Sequence, residues 1–263
     1  MHSNFFKRLF KEIKHIISVN WTFSDVGKHW DETTDYDDIN EKTHTYFRRF
    51  IDADNFFDLP EKKYTLDICS RTGNGSLFFW KKGKISKVVC ADVTQKMQEI
   101  CNANLKKYPI DFTTKYFESY PLPFENNQFE TILSFETIEH LPSPNIFIEE
   151  LYRILKPDGY LVLTMPNILW EPVHWLAAIF NIHHSEGPHR FIRHEKVQKW
   201  LKGAGFQIIK QKTFILIPGG PKKIIKLGEK LEEKLPKFIT DLLGLRRIYI
   251  CEKNKSNNES ITY

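Results

Sequence analysis

The chain has 263 residues, a formal charge of +5, and 41% hydrophobic and 14% aromatic residues. That length and apolar content suit one large α/β domain with additions and exclude a chain disordered throughout. The mild positive balance permits anionic partners without requiring them. Four scattered cysteines with no C-x-x-C pair exclude ordinary zinc spacing and fit reduced thiols in a cytoplasmic protein.

At the start of the chain, Phe5, Phe6, Leu9, Phe10, Ile13, Ile16 and Ile17 recur at helical spacing among Lys7, Arg8, Lys11 and Lys14. This basic amphipathic helix can pack as a lid on the domain, or residues 5–17 can make peripheral contact with an anionic membrane surface. No secretory pattern precedes it, and no stretch approaches the ~20 apolar residues of a membrane span. The polar, aromatic-dotted segment Trp21 to Asp58 reads as helices and loops over a cleft. Residues 1–60 are thus expected to be an N-terminal helix and cap, 61–253 the main domain, and 254–263 a loose tail.

From residue 64 short β-rich runs alternate with helical ones. Tyr64–Ile68, Lys87–Ala91, Thr131–Phe135 and Tyr160–Met165 read as buried parallel strands. Thr94–Leu105 and Ser143–Leu155 read as helices, the second with a core stripe of Ile146, Phe147, Leu151, Ile154 and Leu155. The turn Lys156-Pro157-Asp158-Gly159 ends that helix. Trp170–Ile182 is an apolar helical candidate, and Lys196–Ala204 a helix stopped by Gly205. Phe206–Ile217 and Arg247–Cys251 are expected to pair antiparallel at a sheet edge. Between them Ile224, Leu227, Leu231 and Leu235, interleaved with lysines, mark another amphipathic helix. The pattern predicts a doubly wound α/β sheet with helices on both faces.

Ligands of such sheets bind beyond the carboxyl ends of the strands. There the loop from Asp67 to Ser76 carries small residues, Ser70, Gly73 and Gly75 among them, before a helix start. Asp92, 25 residues beyond Asp67, ends the second strand; it can accept from ribose hydroxyls or serve as a turn residue before Thr94.

The run from Glu118 through Tyr120-Pro121-Leu122-Pro123-Phe124 into Thr131–Phe135, then Glu136-Thr137-Ile138-Glu139-His140-Leu141-Pro142, ends at Leu155-Lys156-Pro157-Asp158-Gly159. It closely resembles the class I methyltransferases that use S-adenosylmethionine (SAM), in the small-molecule branch with the ubiquinone-pathway O-methyltransferases. The resemblance spans about residues 64–215 and implies a mostly parallel seven-stranded sheet with an antiparallel last strand. It also implies SAM contacts by Asp67, Cys69, Ser70 and Gly73, ribose binding by Asp92 with Val93 beside it, and an adenine contact by Glu118. Ser134 and Phe135 would line the methionine end. The chain departs from the family at Cys69 and Arg71, where glycine is usual. Arg71 in a glycine conformation carries a strain cost; it could also cover the cofactor.

A hydroxyl acceptor needs a base, and His140 beside Glu139 is the leading candidate, with His189 a second. Glu136, Glu139 and His140 would share one face of a helical turn and could hold Mg²⁺; the alternative is that Glu139 and His140 simply shape the loop. His183, His184, His189 and His194 match no ordinary zinc pattern. Trp170, Trp175, Leu176, Ile179 and Phe180 suggest either an apolar acceptor pocket or ordinary helix packing. The expected activity is methyl transfer to a small hydroxylated, lipid-like or glycan-precursor acceptor. A nicotinamide-dependent oxidoreductase lacks its G-x-G-x-x-G fingerprint here, and a non-catalytic binding protein on the same fold remains the alternative. Nucleic acid is disfavoured because Phe135-Glu136-Thr137-Ile138 lacks the Pro-Pro-aromatic signature of base-modifying members.

Overall fold

The computed structural model describes residues 20–33, 40–180 and 187–254, together with positions 9, 10, 13 and 37. Most of the amphipathic segment 5–17, His183, His184 and the tail beyond residue 254 lie outside the described residues.

The sheet is built from β1 (Lys62–Ile68), β2 (Ile85–Asp92), β3 (Asp111–Tyr116), β4 (Phe129–Phe135), β5 (Leu155–Pro166), β6 (Gln207–Phe214) and β7 (Arg246–Lys253). Their order is β3-β2-β1-β4-β5-β7-β6, parallel throughout except β7, which runs antiparallel to both β5 and β6. The central strands are apolar on both faces: Leu66, Ile68, Ile132, Leu133, Leu161 and Leu163 are fully buried. The edge strand β3 alternates exposed and half-buried residues. Its polar sequence lacks the apolar run that marks the other strands, so it was not among the predicted strands.

Helices cover both faces, giving two cores. One packs α1 (Phe23–Glu32), α4 (Gln95–Leu105), α5 (Pro144–Ile154) and α7 (His194–Ala204), with Val26, Trp30, Met97, Leu151 and Leu201 buried. The other packs α2 (His44–Phe56) and α3 (Asn74–Lys81) through Tyr46, Phe50 and Phe79. Residues of the cap segment, Phe23, Val26 and Trp30, are thus part of the main core. Helix α1 starts on a capping box in which Asp25 N–H donates to Thr22 Oγ1 and Thr22 N–H donates to Asp25 Oδ2.

Helix α5 buries Phe147, Ile148, Leu151 and Ile154, whereas Ile146 is 38% exposed. The predicted stripe was one residue off at its start, because Phe147, Ile148, Leu151 and Ile154 complete the inward arc and Ile146 falls outside it. After β5 come a short turn, Ile168–Trp170, and α6 (Glu171–Ile179). α8 (Lys222–Lys234) and α9 (Lys237–Leu243) follow β6; α9 is too short to show a period in sequence.

The switch point lies between β1 and β4, where the loops after these strands diverge and open a crevice. Helix α5 carries the C-terminal side of the loop after β4 and is anchored by the fully buried Leu151. Leu151→Ala is expected to cost about 2–5 kcal/mol of stability in urea unfolding. A loss far below that would mean that α5 is not held by its core face.

Candidate active site

The loop after β1 is held open by two buried carboxylates. Asp67 accepts from Ser76 N–H at 3.0 Å and from Ser76 Oγ–H at 2.7 Å, which ties the end of β1 to the first turn of α3. Asp92, at the end of β2, accepts from Arg71 N–H at 2.9 Å and from Val93 N–H at 2.8 Å. Ser70 N–H bridges to Ala91 O at 3.1 Å, and Gly73 N–H closes a turn onto Ser70 O at 2.8 Å. Gly73 stands at φ 81, where an added Cβ would lie 2.9 Å from Cys101 Sγ.

Cys69 and Arg71, the two departures from glycine, both adopt left-handed backbone, with φ 53 and φ 50. The loop keeps a glycine-type path at about 1–2 kcal/mol per residue. The Arg71 guanidinium pairs with Asp37 and lies 4.8 Å from the centre of the Trp30 ring. Burial pushes the Asp37 carboxyl up, but Arg71 and Thr72 more than offset this and hold it below its ordinary value. Arg71, Asp37 and Trp30 thus form a clasp across the loop. α1 closes the other side: a Cβ on Gly27 would sit 3.0 Å from Val93 O. The spaces left around Cys69, Asp67 and Arg71, and around Asp92, Val93 and Trp30, are only about 20 and 10 Å³. Glu118 lies outside both; it is exposed and accepts from Tyr116 Oη–H at 2.6 Å.

Beyond β4, Ser134 is fully buried and its hydroxyl has no hydrogen-bond partner among the described residues. Phe135 stacks on Phe79 and meets Phe50 edge-on. The expected helical turn at Glu136, Glu139 and His140 does not form. Glu136 takes left-handed backbone at φ 49 and its N–H goes to Thr164 of β5. Its carboxylate is clamped between Arg49, at 3.0 Å, and Arg246. Two guanidiniums occupy that side chain, and among the described residues no three His, Cys, Asp or Glu side chains converge as a metal site. The loop geometry thus places Glu136 in an ion-pair network with Arg49 and Arg246.

Glu139 and His140 are buried beside a cavity of about 330 Å³, which Arg49, Arg71, Arg246 and His174 also line. Its apolar wall comes from Pro166, Trp170, Val173, Ala177 and Leu245. Glu139 also borders a second, open groove of about 610 Å³ between Trp21, Arg190 and Trp200. His140 Nδ1 lies 3.2 Å from Pro188 O, and because a carbonyl only accepts, Nδ1 carries the proton of the neutral ring. His189 sits behind it, with ring centres 6.0 Å apart and Nδ1 on Gly187 O at 2.9 Å, and lines neither cavity.

Sequence reading missed Asp37, Arg49 and Arg246. Arg49 and Arg246 both reach Glu136 across long stretches of chain. The one local hint was Arg246-Arg247 heading an apolar strand, since cations buried there need partners.

Burial raises Asp67 to about 7 and Asp92 to about 6. In the unfolded chain both ionise near ~4. Between those values the folded state binds more protons, so the contribution of both groups to stability falls as pH rises from about 4 to about 7. Asp67→Asn and Asp92→Asn are each expected to flatten that decline in urea unfolding measured across this range. A pH slope identical to the parent's in both variants would show that these carboxyls ionise as in the free chain.

Residues 66–163 match the family described as Methyltransferase domain. A demethylmenaquinone methyltransferase of Leptospira interrogans is 23% identical over 171 residues, covering 62% of this chain and 66% of that protein. A ubiquinone biosynthesis O-methyltransferase of Roseobacter denitrificans is 24% identical over 139 residues, covering 50% of this chain and 55% of that protein. The chain therefore spans just under two thirds, or less, of these relatives' lengths. Among solved structures, a SAM dependent methyltransferase from Aquifex aeolicus superposes with a TM-score of 0.57 at 17% identity, covering 82% of this chain and 97% of that one. Phosphoethanolamine N-methyltransferase 2 of Haemonchus contortus, in complex with phosphomonomethylethanolamine and S-adenosylhomocysteine, reaches 0.63 at 16% identity, covering 90% and 61%. At these identities the structural likeness is one of fold. Sheet order, family match and relatives agree that residues 66–163 carry a methyltransferase domain, set in a seven-stranded sheet with the fold of these solved methyltransferases.

Proposed function

We propose that this chain moves a methyl group from SAM to a small hydroxylated, lipid-like or glycan-precursor acceptor, as an O-methylation. The observation that carries the reading is the 330 Å³ cavity, which places His140 and Glu139 against an apolar wall and next to Arg71 of the loop after β1. The backbone of that loop fits the cofactor. Its left-handed turns follow a glycine-type path, and the Asp92 carboxylate, which takes the amides of Arg71, Val93 and Thr94, keeps one of its four lone pairs for a further donor.

Bound there, SAM supplies an electrophilic sulfonium methyl group. The chain's own residues then bind and orient. Asp92 would accept from the ribose hydroxyls, Val93 and Glu118 would border the adenine, and Asp67 braces the loop of Cys69, Ser70 and Gly73 through Ser76. Ser134 and Phe135 would line the methionine end. His140, with its proton held on Nδ1 by Pro188 O, would offer Nε2 as the base for the acceptor hydroxyl; His189 packs beside its ring and Glu139 lines the same cavity.

A second reading, a non-catalytic binding protein on this fold, is favoured by the Arg71 clasp, because the present 20 and 10 Å³ spaces hold about a water each. Calorimetric titration with SAM, its demethylated product and NAD separates the possibilities. The first two should bind and NAD should not. Asp92→Ala should weaken SAM by roughly tenfold or more, whereas His140→Ala should spare affinity and lower turnover by ~10²–10⁴. Equal SAM affinity in Asp92→Ala removes the ribose assignment. Retained SAM affinity without methyl transfer to any hydroxylated acceptor favours the second reading. Because the clasp must open to admit a nucleoside, Asp37→Asn is expected to speed SAM association in stopped-flow fluorescence; an unchanged rate would mean that the clasp does not gate entry.

A further inference from the structure

Three elements around the cavity leave large apolar side chains in solvent. In the Ile168–Trp170 turn and α6, Leu169, Val173 and Leu176 are 52%, 48% and 55% exposed. On α9, Phe238, Leu242 and Leu243 are 71%, 57% and 49% exposed. The two sets are neighbours, because Asn167 Nδ2–H donates to Leu242 O and Trp170 Nε1–H to Leu243 O, both at 2.9 Å. Helix α8 adds Ile224 and Leu227, also exposed. Single exposed apolar residues are ordinary, but a grouping of this kind marks a surface that meets something apolar.

The same elements border the cavity. Trp170 and Val173 line it directly, Leu245 follows α9, and Pro218 and Gly219 precede α8. Charge then narrows the choice of partner. Lys222, Lys223, Lys226, Lys230, Lys234 and Lys237 are exposed, whereas among the carboxylates between 222 and 243 Glu233 is exposed and the half-exposed Glu229 lies against Arg48 at 3.5 Å. Glu232 turns to Arg48, and Asp241 pairs with Lys237 and lies 3.8 Å from Arg247. Lysines whose stems can lie along apolar surface with their ammonium groups at headgroup level complement an anionic bilayer. No helix among the described residues is long and apolar enough to cross a membrane, so the contact is peripheral.

We propose that the face formed by α6, α8 and α9 docks on an anionic lipid bilayer surface and sets the mouth of the 330 Å³ cavity against it. A lipid-like acceptor would then enter without crossing water. That route rests on the methyltransferase reading; the docking does not.

Sedimentation of the full chain with vesicles tests it, using phosphatidylcholine alone and phosphatidylcholine mixed with phosphatidylglycerol. The parent is expected to pellet with the mixed vesicles, less so at high salt, and to stay in solution with phosphatidylcholine alone. Leu176→Glu, Phe238→Glu and Leu242→Glu combined should abolish pelleting while circular dichroism and SAM titration match the parent. Replacing Lys222, Lys223, Lys226 and Lys230 by Gln should weaken it roughly tenfold or more. A control carrying Phe6→Glu and Phe10→Glu in the N-terminal segment should still pellet. A parent that never pellets, or pelleting lost in that control and kept in the triple variant, overturns the docking. Either result with SAM binding intact leaves the methyltransferase reading standing, and loss of SAM binding alone leaves the docking standing.

Discussion

A chain that leaves a buried parallel strand and turns at once into a helix exposes amide groups that no neighbouring strand can serve. Asp67 and Asp92 serve them from the ends of β1 and β2, through Ser76, Arg71 and Val93. Each carboxylate is almost completely buried, which makes its charge costly and its hydrogen bonds strong. The rest of the site hangs on this arrangement. Without acceptors at these two points, the left-handed turns at Cys69 and Arg71 would have strain and no compensation.

The replacement of glycine by Arg71 changes what the loop can do. A glycine there would leave the crevice open, whereas the guanidinium spans it to Asp37 and lies against Trp30. The glycine-type backbone path is kept while the space beside it is closed by side chains of the N-terminal segment. The clasp and the packing of α1 are thereby joined, because Trp30 belongs at once to the core and to the clasp.

On the other side of the crevice, the ion-pair network of Glu136 with Arg49 and Arg246 joins α2, the loop after β4 and the start of β7. A buried network of this kind adds little net stability, but it fixes geometry, since removing one member strands the others. It holds the loop of Glu139 and His140 against the cavity wall without any helical turn. The apolar side chains of α6 and α9 continue that wall outward to the surface.

The sequence by itself determined the alternation of strands and helices, the carboxylates at the ends of β1 and β2, and the run around Thr131–Phe135 that carries the family resemblance. Those features are local: apolar period, turn residues and strand-end acids sit within a few positions of one another. The polar edge strand β3 and the short helix α9 were not legible, because edge burial and short length erase the period. Only the tertiary structure decided that Glu136 pairs with two arginines and that Arg71 folds back on Asp37. Each depends on a charged group finding its partner far along the chain, with Arg246 lying 110 residues from Glu136. A buried charge must be paired, but nothing in the local sequence says with which residue.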